Sequence, residues 1–252
     1  MTKLLTVQND AKTVKSEGLG YLTGIQYFSP AKLSGYEMCA YRSLGCTLGC
    51  LNTAGRAAIF PAIADARMWR TKLFMEQRTV YIAQLKAEIL SLIKRANRLG
   101  LKPCVRLNGT SDLGWEKIRL FPVTDAEGCS KNVSVMERFP EVQFYDYTKS
   151  VSRMLAYMRG EMPANYHLTF SRSETNDALC AMILARGGNV AVVYGVKRHR
   201  PLSATWLGYK VVDGDQADAR FLDVKGVVVG LRAKGKAKKD GTGFVLQERR
   251  AA

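Results

Sequence analysis

Short extended segments alternate with helical ones along most of this chain, and that rhythm limits its fold more than any other feature. The candidate strands are residues 21–29, 104–108, 142–147, 166–171, 190–194, 209–213 and 227–231. Helical stretches separate several of them. One covers about residues 53–99, with a break near Pro61, and carries Leu85, Ile89, Leu92, Ile93 and Ala96 on one stripe. Gly100 and Pro103 close it. Others cover 151–159 and 177–186, the latter ended by Gly187 and Gly188. Strands alternating with helices pair in parallel through right-handed crossovers. The sequence therefore predicts an α/β domain, a complete or partial (β/α) barrel of mostly parallel strands, over residues 1–232. A doubly wound open sheet is the alternative. Residues 119–132 read as a surface insertion, and residues 233–252, basic and rich in glycine, as a mobile tail.

The strands have two unlike faces. Val105 and Leu107 share one side and Arg106 and Asn108 the other. Leu168 and Phe170 oppose His167, Thr169 and Ser171, while Gln143, Tyr145 and Tyr147 point away from Phe144. The apolar side suits a cover of helices. A polar interior is costly unless it is hydrated or holds a ligand, so the other side predicts a chamber. An open antiparallel sheet with one wet face would show the same alternation.

Polar residues also gather just past these strands: Asn108, Ser111 and Asp112; Asp146 and Lys149; Ser171, Arg172 and Glu174; Asp213 and Asp215; and Arg232 and Lys234. In parallel α/β folds the loops at the carboxyl ends of strands build the site. Asp112 as a helix cap, and Asp213 and Asp215 as turn formers, are the structural readings of the same residues.

Cys39, Cys46 and Cys50 follow the first strand, with six and three residues between them. The other three cysteines are scattered, which does not resemble a secreted disulfide framework. Three close thiolates can bind zinc, or three irons of an iron–sulfur cluster. Neither histidine, His167 or His199, lies near them.

The net charge of +16 fits a nucleotide or nucleic-acid partner, or a basic surface that only keeps the protein in solution. Hydrophobic residues, 47% of the chain, are enough for a sizeable core. No apolar run approaches the roughly 20 residues a membrane helix needs, and the first ten residues are too polar for a secretory signal. A cytoplasmic protein is expected.

A first strand, a three-cysteine loop and βα units around a polar lumen resemble the radical S-adenosylmethionine enzymes. The spacing departs from theirs, which is three and two residues with an aromatic before the last cysteine; here Gly49 precedes Cys50. The resemblance implies that Cys39, Cys46 and Cys50 hold a four-iron iron–sulfur cluster whose open iron chelates S-adenosylmethionine. Arg106, Asn108, Ser111 and Asp112 would contact that cofactor. Asp146, Lys149, Arg172 and Glu174 would be catalytic, and Tyr145, Thr169, Ser171, Asp213, Asp215 and Lys234 would meet a nucleotide or nucleic-acid substrate.

The segments 34–39, 50–56, 106–112, 144–149, 165–174 and 229–236 also resemble, in order, a bacteriophage family usually called the gene product 88 family. That implies a phage origin and leaves the activity open. Two other functions fit the residues. In one, Asp112, Asp146, Glu174, Asp213 and Asp215 bind magnesium in a hydrolase or nuclease, and the cysteines are structural, with zinc or no metal. In the other, the protein binds nucleic acid or a host factor without catalysis.

Overall fold

The computed structural model describes residues 2–9, 11–124 and 128–247. Twelve strands occur in it: β1 (Leu5–Val7), β2 (Tyr21–Gln26), β3 (Lys102–Arg106), β4 (Phe121–Thr124), β5 (Ser130–Val133), β6 (Gln143–Thr148), β7 (Tyr166–Ser171), β8 (Val190–Tyr194), β9 (Thr205–Trp206), β10 (Tyr209–Asp213), β11 (Val228–Arg232) and β12 (Val245–Leu246). The α-helices are α1 (Ala11–Glu17), α2 (Ala31–Ser34), α3 (Leu44–Leu48), α4 (Pro61–Glu76), α5 (Arg78–Arg98), α6 (Val135–Arg138), α7 (Val151–Met158) and α8 (Asp177–Ala185).

The main sheet runs β1-β2-β3-β6-β7-β8-β11-β10-β9. From β2 to β8 each strand lies beside the next of the sheet in chain order, and every pair is parallel. Repeated right-handed crossovers between neighbours put the helices on one face. The edges β1 and β9 do not pair with each other, so the sheet stays open and the complete barrel is not formed. Order also reverses at the far end, where β10 pairs outside β11. β9 and β10 form a hairpin whose turn residues Leu207 and Gly208 have φ of 51° and 81°, the pattern that matches strand twist.

The apolar faces lie where their alternation placed them. Val105, Leu107, Phe144, Leu168 and Phe170 join Leu85, Ile89, Met154 and Ile183 of the helices in one core. Leu85 and Ile89 are fully buried, and truncating either to alanine should cost about 2–5 kcal/mol. Pro61 starts α4 instead of breaking a helix, since its missing N–H is an orphan at that position anyway. The break falls at Gln77.

The opposite face is plugged low down by the turn Arg220–Leu222. Phe221 packs edge-on against Tyr21 and Tyr145, with ring centroids 4.8 and 5.6 Å apart. Residues 119–133 form the expected excursion, a β4–β5 hairpin apart from the main sheet; residues 125–127 lie outside the described part.

The mobile tail requires correction. β7 pairs with β8 only at Val190 and Ala191, while β11 follows β8 along its whole length. β12 pairs in parallel with Val193 and Tyr194, and so takes the β8 edge that β7 leaves as the two strands part. Ala237, Phe244 and Val245 are buried. Residues 233–247 are thus part of the fold; residues 248–252 lie outside the described part. Among the described residues no helix is long and apolar enough to cross a membrane.

Candidate functional site

A cavity of about 300 Å³ opens at the carboxyl ends of the parallel strands. Arg106 and the loop that follows β3 form part of its wall, with Tyr147 and Lys149 at the end of β6 and Ser171 as the last residue of β7. Asp215 and Asp218, which follow β10, and Arg232 and Lys234, at the end of β11, form another part. The segment after β2 brings Cys39, Cys46 and Cys50, and the C-terminal segment brings Ala237 and Phe244.

Arg106 is 4% exposed. Its Nη1 donates to both oxygens of Asp218 at 3.1 Å, its guanidinium stands 4.6 Å from the Tyr147 ring centroid, and Tyr145 donates its hydroxyl to Asp218 at 2.8 Å. Burial opposes the charge on Arg106, but Asp218 and the two tyrosines outweigh it and raise its pKa. Its buried Nε has no hydrogen-bond partner among the described residues.

The loop from Asn108 to Asp112 is held from behind. Asp146 accepts the Asn108 N–H at 2.7 Å, the Asn108 amide at 3.1 Å and the Tyr166 hydroxyl at 3.0 Å. Asn108 Oδ1 in turn accepts from the Ser111 hydroxyl and the Leu113 N–H. Asp112 accepts from Arg153 at 2.6 Å and from the Lys149 backbone N–H at 2.8 Å. Arg153 also pairs with both oxygens of Glu116 and donates to Tyr166. Burial pushes the Asp146 carboxyl up to about 7 against the pull of Arg106, its donors and Arg153. It anchors the loop and does not line the cavity.

Strand parity sorts the expected residues. Arg106, Asn108, Lys149 and Ser171 share the polar face of their strands, and all four reach the cavity. Asp146 and Arg172 share parity with Phe144 and Phe170 and turn away. Arg172 pairs with Asp177 at 2.7 Å and donates to the carbonyls of Gly243 and Phe244 at 2.8 and 3.0 Å. Tyr145 and Thr169 lie on the right face but too deep, fully buried below the cavity. Glu174 accepts from the Ser43 hydroxyl at 2.6 Å and the Gly45 N–H at 2.9 Å, fastening the cysteine loop. Burial works against its charge, and these two donors outweigh it and lower its pKa. Asp213 is taken up by Arg232 at 2.9 Å outside the cavity. Asp215 lines the wall and is held by Arg232 and Lys234. Ser111 and Asp112 line it too. Asp213 and Asp215 share Arg232, and among the described residues these five carboxylates form no group of three or more placed to hold a metal ion.

Asp218 was not singled out in the sequence. It lies in an aperiodic run after β10, and only its contact with Arg106 reveals it. The cavity role of the C-terminal segment was likewise masked by its lysines and glycines.

The three thiols occupy one wall. Cys39 Sγ lies 3.6 Å from the Thr110 carbonyl oxygen. Burial pushes its thiol up to about 12, and Cys46 and Cys50 add to that. Burial also raises the Cys50 thiol. Among the described residues no group of three or more His, Cys, Asp or Glu side chains is placed to hold a metal ion. By donor type alone the set suits a thiolate-bound centre: three unbridged cysteines border one cavity.

A family model described as Gene product 88 matches residues 3–248. No curated protein and no solved structure matches the chain.

Proposed function

The chain belongs to the gene product 88 family, and from that premise we propose that it is an enzyme of the radical S-adenosylmethionine type acting on a nucleotide or nucleic acid. One observation carries the reading. Cys39, Cys46 and Cys50 follow the first parallel strand and border the same cavity as the polar carboxyl ends of the strands that come after it.

Cys39, Cys46 and Cys50 would hold a four-iron cluster, which when bound supplies the electron that cleaves S-adenosylmethionine. The chain's own residues do the rest. Thr110 lies against Cys39, which supports the reading that the Asn108–Asp112 loop would contact the cofactor. Asp146, Tyr166 and Arg153 fix that loop's shape from behind, which makes them positioning residues. Arg106 and Asp218 hold a buried charge pair in the wall. Lys149, Ser171, Asp215 and Lys234 border the remaining space and would face substrate.

Anaerobic reconstitution with iron and sulfide tests this. Wild type should take up about four irons and turn brown. Cys39→Ala, Cys46→Ala and Cys50→Ala should each lose the colour. A protein that stays colourless, or retains iron in all three variants, removes the reading and leaves nucleic-acid or host-factor binding in its place.

A further inference from the structure

The cations that border the cavity differ in how they are neutralised. Arg106 has Asp218. Arg232 has Asp213 and Asp215, and Lys234 shares Asp215. Arg42 has Glu37. Lys149 is different. Its ammonium, half-buried in the wall, donates to the Ser171 hydroxyl at 2.6 Å and stands 5.4 Å from the centroid of the Phe244 ring. Asp112 is near but accepts only the Lys149 backbone N–H and gives its other oxygen to Arg153. Lys15, also on the cavity, donates to the Asp215 carbonyl and pairs with no carboxylate among the described residues.

A half-buried ammonium with only a hydroxyl and a ring for company pays part of its desolvation without a counter-charge. The arrangement is completed by an oxyanion arriving through the cavity. Lys149 and Ser171 would both donate to it, since the hydroxyl can turn its proton outward when Lys149 donates to its oxygen. Lysine is a common phosphate binder, acting as a point charge. Lys15 and Lys149 border the one cavity with no carboxylate partner among the described residues, which favours an anionic ligand.

We propose that the substrate carries a phosphomonoester, and that Lys149 with Ser171 forms the seat for its phosphate. The proposal rests on the cavity being the substrate chamber and makes Lys149 a binding residue. It does not depend on the cysteines being loaded.

Binding to the cluster-free protein separates the two ideas. Phosphorus NMR with inorganic phosphate, and calorimetry with a 5′-nucleoside monophosphate, its unphosphorylated nucleoside and acetate, give the affinities. Wild type should bind the monophosphate at least about tenfold more tightly than the nucleoside, the size of one charge-assisted contact, and should prefer phosphate to acetate. Lys149→Met should erase both preferences, Lys149→Arg should keep them, and Ser171→Ala should reduce them. Unchanged thermal unfolding of the variants guards against simple misfolding, and Lys149→Arg and Ser171→Ala still decide the matter if Lys149→Met does not fold. Equal affinity for nucleoside and monophosphate, no phosphate binding, or a preference that survives in Lys149→Met overturns the proposal. So does loss of S-adenosylmethionine binding in Lys149→Met with phosphate binding intact. If iron is never taken up but the Lys149-dependent preference is found, the radical-enzyme reading fails and the phosphate seat stands.

Discussion

Asp146→Asn should change the pH dependence of stability in a direction that the structure fixes. In the folded protein burial pushes this carboxyl from 3.8 up to about 7. The folded state therefore holds the proton more tightly than the unfolded chain does. The associated stability is complete below about pH 4 and is lost as pH rises toward 7. The difference between 3.8 and about 7 corresponds to about 4 kcal/mol. His167 has the opposite gradient. Burial pushes it from 6.5 down to about 4, so its stability is complete above pH 6.5 and is lost as pH falls toward 4, about 3 kcal/mol in all. Over the shared window the two nearly cancel. Urea unfolding at pH 4.5 and pH 6 would measure this. Relative to wild type, Asp146→Asn should gain about 2 kcal/mol on going from pH 4.5 to pH 6, because the opposing His167 gradient is left alone. His167→Gln should lose a similar amount over the same interval. Using the difference from wild type removes groups common to both proteins. Asp146→Asn should also be less stable at both pH values by about 1–3 kcal/mol, since its amide meets donors at Asn108 and Tyr166. A stability difference from wild type that is the same at both pH values would refute the reasoning. It would mean that the three donors keep Asp146 ionised throughout.

Asp218→Asn should cost about 3–5 kcal/mol in chemical denaturation, because it leaves the buried Arg106 guanidinium without its counter-charge. A loss under 1 kcal/mol would show that the wall admits enough water to solvate Arg106. Ending the chain after Ala233 should lower the thermal midpoint and expose residues 43–49 to protease, since Arg172 loses both carbonyl partners and β8 loses β12. A dispensable tail would leave the midpoint unchanged.

Much of the fold was legible because its signals are local. β7, β8 and β10 match the expected bounds residue for residue, since alternating side chains and flanking turn residues mark both ends. Four of the cavity residues were legible from the same alternation: Arg106, Asn108, Lys149 and Ser171 fall on the polar face. Asp146 and Arg172 were drawn into the expected site by their place at the strand ends. Their parity with Phe144 and Phe170 already pointed to the helical side. What alternation cannot carry is long-range closure. Whether a sheet ends in a barrel seam depends on the edges, and here β10 inserts outside β11 while β12 enters between β7 and β8. A two-residue strand within a basic, glycine-containing stretch has no periodicity to read.

The docking of the last strand also has a consequence for how the protein is made. A Cβ on Gly45 would lie 2.2 Å from Thr242 Oγ1 and 2.4 Å from Phe244 Cβ, so the cysteine loop and the C-terminal segment pack with no room between them. Residues near opposite ends of the chain thus complete the thiol wall together. During synthesis the amino-terminal half emerges first and begins to fold as it appears. The cysteine loop must wait for residues 242–245 before its own surroundings exist. Any group held by that loop would therefore meet its finished surroundings only once residues 242–245 have been made.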